Sequence, residues 1–151
     1  MAKSQRVHLL NRQRKLKLES DALRSLVKWV LEGEGADPDC HVELVLLRDG
    51  PMAELNAQYR GRSGATDVLA FQTDPEGWPA EEAPLWGTVV VSVDRAVQQA
   101  SERGLKTGAE IRRLVVHGLL HLAGYRDGTP AERARMRRRE NRYLQPRTRR
   151  R

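Results

Sequence analysis

The chain has little cysteine and no long apolar run. Its single cysteine, Cys40, excludes an internal disulfide and any zinc site built from several cysteines. No apolar run approaches the roughly 20 residues that a membrane-spanning helix needs. The first residues are basic, but no apolar stretch follows them as it would in a secretion signal. These absences predict a cytoplasmic protein that has no membrane partner.

Acidic residues are scarce at both ends of the chain. Residues 1–17 contain six Lys or Arg and no acid, and residues 133–151 contain ten Arg and one acid, Glu140. The residues between them, 18–132, hold 11 basic and 19 acidic side chains, within a net charge of +7. Basic ends of this kind favour contact with RNA, or with a ribosome, through backbone phosphates. The alternative is that the basic ends are solvated and bind nothing.

The length and composition predict one globular domain. The 151 residues are 39% hydrophobic and 31% charged, which is the balance of a folded protein. We interpret residues 1–151 as a single domain with a basic N-terminal segment, 1–17, and an Arg-rich C-terminal tail from about residue 145. Strand and helix patterns follow each other without a strict βα repeat. This predicts an α+β fold, a small mixed sheet of about four strands with helices packed on it.

The hydrophobic patterns and turn residues place the elements along the chain. Strands are predicted at 7–10, 41–47, 67–72 and 86–93. Helices are predicted at about 20–33, 51–59, 94–103, 107–123 and 130–144, and residues 73–84 are predicted to form a surface loop. The predicted helix N-caps are Ser20 or Asp21, Asp94, Thr107 and Thr129, of which the last two begin capping boxes.

The helix predicted at 107–123 carries a candidate metal site. His117 and His121 are four residues apart, so both imidazoles project from one face and can hold one ion. Gly124 lets the chain turn, which can bring Asp127 back toward the two rings. Two nitrogens and one carboxylate leave a fourth coordination position open, as in catalytic zinc sites. The alternatives are an ordinary surface or core pair of histidines, and a loop residue at Asp127.

Three segments resemble the bacterial YbeY family. Residues 117–125 match its signature, His-Gly-x-Leu-His-Leu-x-Gly-Tyr-Asp-His, as far as the tyrosine. Residues 55–62 with 66–71 are similar to its Asn-x-x-Tyr-Arg-Gly … Thr-Asp-Val-Leu-Ser-Phe block. Residues 86–92 resemble its Leu-Gly-Asp-Ile-Val-Ile-Ser strand. The three blocks stand in the family's order and cover roughly residues 50–127.

The resemblance implies a metal-dependent endoribonuclease specific for single strands, acting in rRNA maturation at the 16S 3′ end and in ribosome quality control. It implies one Zn²⁺ per chain, held at the signature's three ligand positions, here His117, His121 and Asp127. The implied partners are rRNA and the ribosome or its small subunit. Arg60 stands at the family's functional arginine position and is the candidate for holding phosphate, with Arg62 second.

Three residues depart from the family pattern. Asp127 stands where the family has His, Arg126 where it has Asp, and Thr88 where it has an acid. A carboxylate can occupy the third zinc position at a similar bond length, about 2.0–2.2 Å. We expect it to raise the pKa of a bound water and to loosen the preference for zinc over manganese or magnesium.

Gly118 separates the possible chemistries. Zinc peptidases of the zincin type place a glutamate base directly after the first histidine, so this helix resembles a zincin scaffold without its base. Phosphodiester cleavage therefore becomes the leading hypothesis. The alternatives are a non-catalytic ribosome-assembly factor, whose metal only joins the last two helices, and, less favoured, a metallopeptidase. His8 and His41, the pair Thr66 and Asp67, and Trp78 and Trp86 are interpreted as structural.

Overall fold

A computed structural model describes residues 6–61, 64, 66–72 and 85–146 of the chain. These residues form four strands and five helices. The strands are β1 (Arg6–Asn11), β2 (His41–Leu47), β3 (Val68–Phe71) and β4 (Leu85–Ser92), and the helices are α1 (Ser20–Gly33), α2 (Asp49–Arg60), α3 (Val93–Arg103), α4 (Thr107–Leu122) and α5 (Pro130–Leu144). Arg62, the loop predicted at 73–84 with Trp78, and the last five arginine-rich residues lie outside the described part. None of the described helices is long and apolar enough to cross a membrane.

The strands form one mixed sheet in the order β1-β2-β4-β3. The pairs β1–β2 and β2–β4 are parallel, and β3 runs antiparallel to β4. This arrangement confirms the predicted α+β fold with a small mixed sheet. The register places Val42 beside Gly87 and Leu44 beside Val89, so these residues point to the same face of the sheet.

Helix α4 lies against that face, and the larger core forms between them. The buried side of α4 carries the apolar residues that the helical period predicts, and α1 packs beside it. The opposite face of the sheet is covered in part by α2 through a smaller cluster around Leu47, Met52, Leu69 and Val90. The side of α4 that packs on the sheet is therefore apolar, and polar side chains can occupy the rest of the helix surface.

Helix α5 is attached to α1 through one buried acid. Glu34, just after α1, accepts hydrogen bonds from Arg139, at 2.7 Å, and from the Tyr143 hydroxyl. Burial, together with the neighbouring Glu34 carboxylate, raises the pKa of Tyr143 to about 12. Tyr143 therefore stays protonated and continues to donate this hydrogen bond across the physiological range.

Three of the predicted N-caps are wrong. Helix α1 begins after Glu19 without a side-chain cap, and α3 is capped by Ser92, whose hydroxyl accepts from the Arg95 N–H at 3.2 Å. Asp94 instead accepts hydrogen bonds from Arg48 and Lys15, and these cations hold the pKa of its carboxyl well below its usual range. At Asp94 the tertiary partners Arg48 and Lys15 take the carboxylate that the local pattern had assigned to the helix cap.

The capping box predicted at Thr107 is also absent. Lys106 occupies the N-cap position, and its ammonium group cannot accept a hydrogen bond, so α4 has no side-chain cap. Glu110 turns into the protein and binds Arg113 instead of reaching back to the helix start. The box predicted at Thr129 is confirmed. The Thr129 hydroxyl accepts from the Glu132 N–H at 3.1 Å, and the Glu132 carboxylate accepts from the Thr129 N–H at 3.0 Å.

The two threonines provide a matched test of this difference. We expect Thr129→Ala to lower the free energy of unfolding by about 1 kcal/mol, because it removes a cap that α5 uses. Thr107→Ala should change it by less than about 0.5 kcal/mol, since that hydroxyl caps nothing. Urea denaturation followed by circular dichroism measures both. Equal losses in the two variants would contradict the assigned caps.

Candidate metal centre

The turn after α4 brings Asp127 back to the two histidines. Gly124 adopts φ 103°, a left-handed conformation that favours glycine, and the chain reverses there. The Asp127 Oδ2 atom lies 3.3 Å from His121 Nε2 and 3.5 Å from His117 Nε2. The two Nε2 atoms are 3.1 Å apart. The structure therefore places together the three residues whose side chains the sequence singled out as ligands.

Each histidine makes a hydrogen bond through its Nδ1 atom, and this bond determines whether its Nε2 atom carries a proton or a lone pair. His121 Nδ1 lies 3.1 Å from the carbonyl oxygen of Tyr125, which can only accept, so Nδ1 carries the proton. His117 Nδ1 donates in the same way to Glu140 Oε2, at 2.5 Å. In the neutral rings both Nε2 atoms then carry a lone pair and face each other and the Asp127 carboxylate.

This donor set fits a divalent cation. One ligand atom from each of His117, His121 and Asp127 lies within 4.8 Å of the others. Three electron-pair donors that converge without a proton between them repel each other unless a cation lies among them. The side chains are 21%, 31% and 47% exposed, so an ion and a water molecule can reach them. The group could therefore bind a metal ion, and the ligand role of each residue stays a prediction.

Glu140 is a residue that the sequence reasoning missed. It is buried, with 6% exposure, and its carboxylate fixes both the tautomer and the orientation of the His117 ring. A carboxylate behind a metal-ligating histidine is a common arrangement in metal sites. The signal was present in the sequence, because Glu140 is the only acid among the ten arginines of residues 133–151.

A cavity of about 580 Å³ opens beside the candidate metal centre and also contains Arg60. Arg60 is the last residue of α2, and Gly61 ends that helix with φ 63°. The side-chain amide of Asn56 donates to the Gly64 carbonyl at 2.8 Å, which fixes Gly64 against α2. The exposed Arg60 makes no hydrogen bond or ion pair within the described part of the chain, so its guanidinium is available to a ligand.

The same cavity contains an exposed aromatic surface. The Tyr59 side chain is 59% exposed, and its ring centroid lies 4.8 Å from that of Phe71. The two rings are inclined to each other by 48°, and the exposed Tyr59 ring presents an apolar face to the cavity. The sequence reasoning did not identify this pair, because the two residues lie on different elements and meet only in the folded chain.

Other polar residues near the site have structural partners. Asp67 accepts from the Val68 N–H at 2.8 Å and from Gln99 at 3.1 Å, which agrees with its predicted structural role. Thr88 donates to Glu43 on the next strand, at 2.8 Å, on the sheet face that points away from α4. The departure from the family at Thr88 therefore does not touch the candidate metal centre. His8 and His41 are hydrogen-bonded to each other at 2.8 Å.

Gly118 is required by the packing of α4 on the sheet. A Cβ atom at this position would lie 2.6 Å from Val89 Cγ1 and 3.2 Å from Val68 Cγ2. Both neighbours are β-branched and cannot turn aside easily. The position at which zincins carry their glutamate base therefore has no room for a side chain in this protein.

Comparison with known proteins identifies one family. A family model described as Endoribonuclease YbeY matches residues 8–147. The chain is 40% identical to Endoribonuclease YbeY of Desulforamulus reducens over 141 residues, which cover 89% of this chain and 92% of that protein. It is 32% identical to Endoribonuclease YbeY of Bacillus subtilis, with 76% of each chain covered. It is also similar to the solution structure of TM1509 from Thermotoga maritima, with a TM-score of 0.62, 27% identity, and 91% of this chain and 86% of that one covered.

The packing at Gly118 generates a stability prediction. Gly118→Ala should lower the free energy of unfolding by about 1–3 kcal/mol, because the added methyl group overpacks the contact with Val89. Gly108→Ala on the same helix is the control, since nothing lies within 4 Å of a Cβ there, and it should raise stability by up to about 1 kcal/mol.

Denaturant unfolding of a double variant tests the assigned contact. Val89→Ala removes a buried side chain and should be destabilising by itself, but Gly118→Ala should cost less in that background than in the wild type. If the losses in the free energy of unfolding were strictly additive, the methyl group added at position 118 would not be in contact with Val89.

Proposed function

Because the chain belongs to the YbeY family, we propose that it is a metal-dependent endoribonuclease that cleaves single-stranded RNA. One observation carries the proposal. The converging ligand atoms of His117, His121 and Asp127 line the same cavity as Arg60, which has no ion-pair partner among the residues that the structure describes. A cation site next to an arginine suits phosphodiester cleavage, since the two positive groups can stabilise the charge on the phosphate from two sides.

The proposed ion is one Zn²⁺, with His117 Nε2, His121 Nε2 and an Asp127 oxygen as its protein ligands. When bound, such an ion lowers the pKa of a coordinated water and polarises a phosphoryl oxygen. Glu140 keeps the His117 ring oriented toward this position, and the Tyr125 carbonyl does the same for His121. The carboxylate makes the site more anionic than three histidines would, so manganese or magnesium becomes a stronger competitor.

Arg60 is proposed to bind the phosphate that is cleaved. Its planar guanidinium can donate to two phosphate oxygens at once, and its charge opposes the negative charge that develops during the reaction. Since Arg60 has no competing carboxylate among the described residues, binding substrate breaks no existing ion pair. A lysine at this position would supply the charge without the two-pronged geometry.

The aromatic pair supports specificity for single strands. A nucleobase next to the cleaved phosphate can stack on the exposed ring of Tyr59, which is in contact with the Phe71 ring. Bases in a duplex are already stacked and paired, so they are not available to this surface. Only an unpaired strand can place its phosphate at Arg60 and its base on Tyr59 together.

We propose rRNA as the substrate, with the 3′ end of 16S RNA as the specific target and the small ribosomal subunit as the partner. The basic segment 1–17 and the arginine-rich end from about residue 145 are proposed to add sequence-independent phosphate contacts around one catalytic domain. Such contacts strengthen binding to a large RNA without determining where it is cut.

A cleavage assay tests the proposed function. His117→Ala and Arg60→Glu should each lower the cleavage rate of a single-stranded transcript from the 16S 3′ end by roughly a hundredfold or more. The same sequence annealed to its complement should resist the wild type. Arg112→Glu is the matched control, because Arg112 is exposed on α4 and lies outside the cavity. Labelled RNA on denaturing gels measures the rates, and circular dichroism verifies folding.

The same assay separates the alternatives. Because His117→Ala is purified in the same way as the wild type, it also reports contaminating nuclease. Wild-type rates in His117→Ala would mean that the activity belongs to another site or another protein. A folded wild type that cuts no RNA, but melts at lower temperature after chelation, would favour an assembly factor with a structural metal.

Asp127 generates a separate prediction about the metal. Asp127→His should increase the preference for zinc over manganese on the order of tenfold, because nitrogen replaces a hard oxygen ligand. Asp127→Ala should weaken the binding of both ions. Competition with a chromophoric chelator measures the affinities. Asp21→His, on the exposed start of α1, is the control for a histidine added away from the candidate metal centre. Unchanged zinc affinity in Asp127→Ala would mean that Asp127 is not a ligand.

A further inference from the structure

A second cavity lies on the other side of the candidate metal centre. It has a volume of about 380 Å³ and opens between the end of α3, the middle of α4 and one face of α5. His117 and Asp127 line both this cavity and the one that contains Arg60. The proposed metal position therefore lies between the two cavities, and a ligand longer than one phosphate group can reach into both.

Four arginines line this second cavity, and we call them the arginine cluster: Arg103, Arg113, Arg133 and Arg137. Two carboxylates face them, but both are engaged elsewhere. Glu140 accepts the hydrogen bond from His117, and Asp127 belongs to the candidate metal centre. The cavity wall therefore has a surplus of positive charge, which favours an anionic ligand.

A buried acid positions half of the arginine cluster. Glu110 is fully buried, and its two oxygens accept from Arg113 Nε and Nη2, each at 2.8 Å. Arg103 Nη1 lies 3.9 Å from the same carboxylate. The Glu110 hydrogen bonds raise the pKa of Arg113, so it remains a cation. One buried negative charge thus holds two positive charges at the cavity wall, and it can neutralise only one of them.

The other half of the arginine cluster comes from α5. Arg133 and Arg137 are four residues apart and so project from one face of the helix, where like charges repel each other. Arg133 donates to the backbone carbonyl of Asp127 at 3.2 Å, which leaves its charge uncompensated. Arg137 makes no hydrogen bond or ion pair with the residues that the structure describes. An anion bound between them would relieve this repulsion.

Other arginines of α5 have different surroundings. Arg139 is paired with Glu34, and Arg135 lies over the Tyr125 ring at 5.1 Å. Arg138 and Arg142 are exposed and do not line the cavity. Only the positions that face the candidate metal centre combine an unneutralised charge with a concave surface.

We propose that the arginine cluster binds a backbone phosphate of the RNA that neighbours the cleaved one. This inference rests on the proposed function, because the shared residues His117 and Asp127 connect the two cavities along one substrate. The RNA then crosses the candidate metal centre, with one nucleotide over Tyr59 and a flanking phosphate between α4 and α5. Guanidinium groups suit this role, since each can donate to two phosphate oxygens.

A matched pair of double variants tests the proposal. Arg133→Ala with Arg137→Ala removes two charges from the arginine cluster, and Arg138→Ala with Arg142→Ala removes two from the same helix outside it. Fluorescence anisotropy measures binding of a labelled single-stranded 2′-O-methyl RNA over a range of KCl concentrations. We expect roughly tenfold weaker binding from the cluster variant. Its salt dependence should fall by about 0.7 log units per lost contact, and the control should change by less than about twofold.

A second measurement locates the phosphate. Single phosphates of the RNA are replaced in turn by uncharged methylphosphonates, and each RNA is bound to the wild type and to both double variants. We expect one position to weaken binding to the wild type and the control variant but to have little effect on the cluster variant. Arg137→Ala alone repeats the test without disturbing the Arg133 contact to the Asp127 loop.

The outcomes distinguish this inference from the proposed function. If the wild type binds and cleaves RNA, and both double variants lose the same affinity at all salt concentrations, the arginine cluster is not a phosphate site and the nuclease function stands. Equal sensitivity of the wild type and the cluster variant to every methylphosphonate would overturn it in the same way. If the wild type neither binds nor cleaves RNA, both proposals fail.

Discussion

Helix α4 approaches β4 so closely that position 118 has no room for a Cβ atom, and the rest of the candidate metal centre depends on this contact. With its apolar side held against the sheet, α4 presents His117 and His121 on a neighbouring flank, where their side chains are 21% and 31% exposed. The same contact leaves no place for a base directly after His117. The proposed chemistry therefore relies on a cation and on Arg60 instead of a glutamate base at this position.

Two buried acids organise the polar side of α4. Glu140 reaches His117 from α5, and Glu110 holds Arg113 within α4. Buried carboxylates are unfavourable unless they are paired, so each one fixes the side chain that pairs with it. One acid orients the histidine that is proposed to bind the metal, and the other orients a guanidinium that is proposed to bind phosphate. These two pairings explain how the candidate metal centre can lie beside helices that carry many arginines.

The departures from the family pattern differ in their consequences. Thr88 binds Glu43 on the far face of the sheet, where it has no effect on the candidate metal centre. Asp127 lies within 3.5 Å of both histidines, so a metal ion bound by this group would meet a carboxylate oxygen where the family pattern supplies a nitrogen. A residue's place in the fold, rather than its departure from the pattern, determines its effect on chemistry.

The sequence by itself determined the helical period of α4, the four-residue spacing of His117 and His121, and the turn at Gly124, because these depend on neighbours along the chain. It also predicted the mixed α+β fold, the strand and helix positions to within a few residues, and the cap at Thr129. Only the tertiary structure decided that Glu110 pairs with Arg113 instead of capping α4, and that Tyr59 meets Phe71. It alone brought Arg137 to the cavity that His117 also lines. These contacts join segments far apart in the chain, and such partners are selected by packing and burial, which local patterns do not encode.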